Sequence, residues 1–127
     1  MFMKALVTAD VVVPVIAAAA LAQQSGIKRT PLQTVDFPTG YNVVSVIAEI
    51  PSGCAGRHTH PGVESTYVME CEAVIKVEGR PDRTVKAGGS FRIPSGVPHD
   101  ACAAKGQFKV SATYIVEKGK PVASPAP

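Results

Sequence analysis

Tryptophan is absent from this 127-residue sequence, and aromatic residues are few, with three tyrosines and four phenylalanines. A folded core must therefore be filled mainly by valine, isoleucine and alanine, a composition that suits a small β-barrel. Charge is also scarce: 18% of residues are charged and the net charge is +3. There is no basic cluster beyond Lys28-Arg29 and no nucleic-acid motif, so nucleic acid is excluded as an expected partner. The apolar run Val11–Ala22 falls short of the ~20 residues that span a bilayer, so no membrane span is expected in the mature chain. Three cysteines make an odd set without C-x-x-C spacing, which argues against a cysteine-held zinc. Helical periodicity with caps is missing after Ala22, and the length allows one domain.

What is present divides into three stretches. Residues 1–22 read as a secretory signal: Lys4 near the start, an apolar run, and Ala20-Leu21-Ala22 as the small-residue cleavage site. The mature protein would begin at Gln23, in a secreted or periplasmic compartment. Residues 23–117 form the domain. The run Asn42–Ile50 is dense in β-branched residues and stops at Pro51-Ser52-Gly53, so it is predicted as a strand. Further strands are expected at Arg57–His60, Glu64–Glu70, Ala73–Glu78, Arg83–Ala87, Ser90–Ile93, His99–Ala103 and Gln107–Glu117, separated by Gly/Pro turns. Residues 118–127, rich in proline and alanine, are expected to be a mobile tail.

All three histidines fall in two short segments, His58-Thr59-His60-Pro61-Gly62-Val63-Glu64 and Pro94-Ser95-Gly96-Val97-Pro98-His99. On a strand, His58 and His60 leave the same face. The Pro61-Gly62 turn lets Glu64 return to that place. His58, His60, Glu64 and His99 thus suggest a single divalent transition metal (Fe, Mn, Ni, Cu or Zn) with a position left open. Such an ion retains positive charge and favours a small molecule with adjacent oxygens.

These two segments resemble the cupin motifs. Gly53 to Cys71 is similar to the first, with a glycine, H-x-H, a spacer of three and a glutamate. Gly88 to Ala103 is similar to the second, with a glycine, P-x-G and the later histidine. Cys71 stands where the first motif usually closes with glycine, and Ala103 where the second usually has asparagine. The resemblance implies an all-β, single-domain jelly-roll β-barrel of cupin type, similar to quercetin dioxygenase-like cupins. The same four residues would be the ligands, and Glu64 would also serve as a catalytic base. In such a barrel the strands of His58 and His99 lie antiparallel, which makes Cys54–Cys102 the reasonable pair for a disulfide, with three free thiols as the alternative. Tyr67, Tyr114 and Arg92 are the polar residues with reach into the pocket, and Phe91 would line its apolar wall. A metal-dependent oxygenase-like enzyme, a non-catalytic binding protein, and a metal-hydroxide lyase or hydrolase are all compatible, as is a homodimer.

Overall fold

Strands form wherever the sequence alternates or runs in β-branched residues. The computed structural model describes residues 26–127, and no helix occurs among them. In chain order the strands are β1 (Lys28–Asp36), β2 (Tyr41–Ile50), β3 (His58–Thr59), β4 (Gly62–Glu70), β5 (Glu72–Val77), β6 (Arg83–Lys86), β7 (Ser90–Ile93), β8 (His99–Ala103), β9 (Phe108–Glu117) and β10 (Ser124–Pro125). They pair antiparallel into two five-stranded sheets, ordered β1-β2-β9-β4-β7 and β10-β3-β8-β5-β6. The all-β expectation is met. The closed barrel is not, because the edge strands of the two sheets do not hydrogen-bond into one continuous ladder.

The core lies between the sheets. Val44, Val46, Ala48 and Ile50 of β2 point inward, opposite Tyr114, Ala112, Val110 and Phe108 of β9. Ala73 and Ile75 of β5 and Val85 of β6 belong to the same buried cluster. Each fully buried valine or isoleucine contributes about 1.5–3 kcal/mol relative to exposure. Small residues opposite larger ones, such as Ala48 facing Val110, keep the layer filled without crowding.

Two elements differ from expectation. The first is β1, which the sequence conceals because Pro31 interrupts it and nearly all of it is exposed. It tolerates the proline because it is an edge strand, and its register shifts between Pro31 and Gln33. The second is the tail. Residues 118–127 pack against the fold, with Val122 and Ala123 buried and Ser124–Pro125 pairing with β3. Two adjacent small apolar anchors beside a short open strand edge are enough to fix a segment whose composition suggested mobility. The expected signal segment, residues 1–22, lies outside the described residues.

Cys54 and Cys102 are disulfide-bonded, and their residues also form an isolated antiparallel bridge. Cys71 is free and exposed, in the turn between β4 and β5, with φ of 64°. That left-handed backbone suits glycine, the residue usual at this motif position, and costs an L-residue about 1–2 kcal/mol. Cys71→Gly relieves it, less the greater chain entropy that glycine loses on folding. The variant is therefore expected to be more stable by about 0.5–1 kcal/mol, read as a higher urea midpoint with an unchanged slope.

Candidate metal centre

β3 and β8 bring the two motifs together. His58 opens β3, His99 opens β8, and the two residues face each other directly in the antiparallel register. His60 follows Thr59, so its ring leaves the same side as His58. The Pro94–Pro98 turn is fastened to this group by Gly96, whose N–H donates to the His60 carbonyl at 2.9 Å. Glu64 arrives from β4, in the other sheet. Its approach requires Gly62, because a Cβ there would lie 1.8 Å from the Ile115 carbonyl oxygen. Glu64, Thr66 and Val68 then alternate inward.

The result is a buried set: His58, His60, Glu64 and His99 are 3%, 1%, 6% and 2% exposed. The ring centroids are 4.2 Å apart for His58–His99, and 4.9 Å for both His58–His60 and His60–His99. The ligand atoms of the three histidines lie within 4.8 Å of one another.

Each imidazole is oriented through Nδ1. His58 donates to Gly56 O at 2.6 Å, His60 to Val122 O at 2.6 Å, and His99 to Val97 O at 2.9 Å. A backbone carbonyl can only accept, so the proton of a neutral ring sits on Nδ1 and Nε2 carries a lone pair. That lone pair meets a carboxylate: His60 Nε2 is 2.9 Å from Glu64 Oε2, and His99 Nε2 is 3.4 Å from the same oxygen. His99 Nε2 has no hydrogen-bond partner although it is buried. Facing lone pairs need a cation between them, either a proton or a metal. Donors at ~2.1 Å from a common ion and at right angles to each other would be ~3 Å apart, close to the Glu64 distances. The residues therefore fit a divalent transition metal.

Charge states agree with this. Burial, followed by the neighbouring His99, pushes His58 down from 6.5 to about 3, so its imidazole stays neutral. Burial alone would raise Glu64, but hydrogen bonding to His60 and His99 when a proton is shared there, together with the Thr66 hydroxyl, outweighs it and holds the carboxyl below its ordinary range. Thr66 Oγ1 donates to Glu64 Oε1 at 2.6 Å, leaving Oε2 toward the histidines. Burial and the Glu64 charge push Tyr114 up to about 12, so its hydroxyl remains protonated. The Tyr114 ring packs 4.7 Å from that of His60.

An apolar cavity of about 20 Å³ opens beside these groups, lined by Ile50, Ile75, Phe91 and Phe108, with His58, Glu64, His99, Tyr114 and Arg29 as its polar members. That is room for about one water-sized species. Of the expected lining, Phe91 and Tyr114 are there. Tyr67 is not: it is 51% exposed, because an inward Glu64 sends residue 67 to the opposite face. Arg92 is likewise exposed, between inward Phe91 and Ile93. The sequence reading missed Thr66, Arg29 and the Val122 carbonyl. Counting by two from Glu64 would have found Thr66.

Comparison with known proteins agrees with this architecture. The family profile described as "Cupin domain" matches residues 46–120. The chain belongs to the cupin family. No curated protein matches it significantly. Among solved structures, the DMSP lyase DddQ from Ruegeria pomeroyi superposes with a TM-score of 0.60 at 22% identity, covering 66% of this chain and 43% of that protein. The chain thus spans less than half of that lyase. KdgF from Halomonas sp. gives a TM-score of 0.61 at 20% identity over 74% of this chain and 82% of its own. A recombinant oxalate oxidase in complex with glycolate gives 0.63 at 22% identity, over 82% of this chain and 57% of its own. At these identities the likeness is one of fold.

The Val122 carbonyl makes the C-terminal segment part of the site. A chain ending at Gly119 loses the acceptor for His60 Nδ1 and is expected to bind metal about 10–100-fold more weakly. Competition against a chromophoric chelator, with circular dichroism to monitor the fold, measures this. Unchanged affinity in a folded truncation would remove the tail from the site.

Proposed function

We propose that this cupin holds one divalent transition metal through His58, His60, Glu64 and His99 and uses it on a small molecule with adjacent oxygens, in an oxygenase-like reaction. The observation that carries the reading is that three Nδ1–H groups are tied to backbone carbonyls, which leaves three Nε2 lone pairs in one buried cluster, two of them beside the Glu64 carboxylate. When bound, such an ion supplies Lewis acidity and, if redox-active, a means of engaging dioxygen. The chain's own part is to orient the donors, exclude bulk water with the Ile50, Ile75 and Phe108 wall, and hold a proton on the Tyr114 hydroxyl. Glu64 can also serve as a base if it leaves the ion.

A second reading, a metal-hydroxide lyase or hydrolase, is favoured by Tyr114. Its protonated hydroxyl lies on the cavity wall, where it can supply a proton to a leaving group. The narrowness of the cavity supports small substrates in either case. Consumption of dioxygen by the metal-loaded protein separates the two readings from turnover under anaerobic conditions.

Purified protein reconstituted in turn with Fe, Mn, Ni, Cu and Zn is expected to bind one equivalent of at least one of them, by elemental analysis. His60→Ala is expected to lose most of that metal while retaining its circular dichroism spectrum, because the core is built by the apolar residues. Unfolding together with metal loss would make the ion structural and count against an enzyme.

The protein is also proposed to be exported, to the periplasm or outside the cell, after cleavage of residues 1–22. The Cys54–Cys102 bond supports an oxidising compartment. Mass spectrometry of protein recovered from an exporting host should give Gln23 as the first residue. An intact Met1 chain in the soluble cytoplasm would count against export.

A further inference from the structure

The two sheets present unlike outer faces. Outside β5, β6 and β8 the outward positions carry charge: Lys76 pairs with Asp82 at 2.6 Å and Lys86 with Glu72 at 3.7 Å, and Asp100 stands opposite Lys76. The outer face of the β1-β2-β9-β4 sheet is different. Its register sets Val35, Val43, Ile115 and Val63 in one row across four strands. The next row is Gln33, Ser45, Thr113 and Ser65, and the one after it Thr30, Ile47, Ser111 and Tyr67. None of these side chains is charged. Val35, Ile115 and Tyr67 are 50%, 42% and 51% exposed, so the face is open to solvent among the described residues. A continuous uncharged face with an apolar row marks an interaction surface.

Its extent and its border indicate the occupant. Four strands at ~4.8 Å spacing and eight residues of rise at ~3.4 Å give a face of about 19 by 27 Å. Each copy thus offers about 500 Å², and two copies about 1,000 Å², the lower limit of a specific interface. Beyond the row that ends at Tyr67, the sheet finishes in Lys28, Glu49, Lys109 and Glu70, in that order across the strands. Neighbours in this row approach only to 3.9, 3.9 and 3.8 Å, which leaves each charge able to take a further partner. An alternating row of four is its own complement when reversed. A two-fold axis parallel to the strands, between β2 and β9, performs that reversal and keeps like ends together. Lys28 then stands over the partner's Glu70, and Glu49 over the partner's Lys109. Arg92 of β7, the charged residue opposite Ser65, falls outside the overlap.

We propose that this outer face is the interface of a homodimer whose two-fold axis runs parallel to the strands. The apolar rows meet each other, Val43 against the partner's Ile115 and Val35 against the partner's Val63. The charged border fixes the alignment, since a shift along the strands carries it onto uncharged rows. The inference is independent of the metal reading, because Glu64 and the histidines lie on the inner side of the sheets.

The test is sedimentation equilibrium of the full-length chain from about 10 to 500 μM, where an interface of this size is expected to give a dissociation constant in the micromolar range. Ile115→Lys puts a charge into the apolar row and should weaken the dimer about 100-fold or more, with an unchanged circular dichroism spectrum. A zero-length carbodiimide cross-link on mixed ¹⁵N-labelled and unlabelled parent protein should join Glu49 of one copy to Lys109 of the other. That measurement needs no variant, and it decides the matter if I115K does not fold. A parent chain that stays monomeric throughout the range overturns the proposal and leaves the face to some other occupant. So does a dimer that persists in folded I115K, or one whose cross-links between copies fall on the β5–β8 face.

Discussion

Everything at the centre depends on His58 and His99 standing opposite each other on β3 and β8. A strand slipped by one residue sends every side chain to the other face, so this register decides whether there is a site at all. β3 has only two residues and contributes little ladder of its own. Its register is imposed from both sides. Upstream, Cys54 is bonded to Cys102 of β8, and Ala55 N–H donates to Ala101 O at 2.9 Å. On its other edge, β10 pairs with His58 and Thr59. The disulfide and the C-terminal segment therefore fix the position of a strand too short to fix itself.

Electrostatics then divides the work between the two sheets. The histidines come from the β3–β8 side, each oriented by a carbonyl close at hand or, for His60, by Val122. The carboxylate comes from β4 across the core. Without a cation, an ionised Glu64 would face imidazole lone pairs in apolar surroundings, an arrangement whose cost falls when a proton or a metal enters. A site of this kind is coupled to packing, because any change that separates the sheets also separates Glu64 from His60.

How much of this was legible follows from which interactions are local. The β2 and β9 strands could be read because their apolar residues alternate along one run. The ligands could be read because H-x-H and the Pro61-Gly62 turn are local devices with local geometry. Tyr67 was misplaced although the same alternation, counted from Glu64, sends it outward. β1 was hidden by Pro31, which reads as a strand breaker until the strand is known to lie at an edge. The tail and Arg29 were not legible for a different reason. Val122 meets His60 across 62 residues, and Arg29 meets Tyr114 across 85. No periodicity encodes a contact between segments so far apart.

That distribution also separates the family-matched part of this cupin from its flanking segments. The family match runs over residues 46–120 and contains all four metal-ligand candidates. Arg29 and Val122 both lie outside it, on strands or segments added at the open edges of the two sheets. The matched part thus supplies the four candidate ligands, and the flanking segments supply the carbonyl that holds one histidine and a cationic side chain on the cavity wall. The fold itself is shared by structures at about one-fifth identity to this chain, and what such a fold does depends on the side chains placed in it.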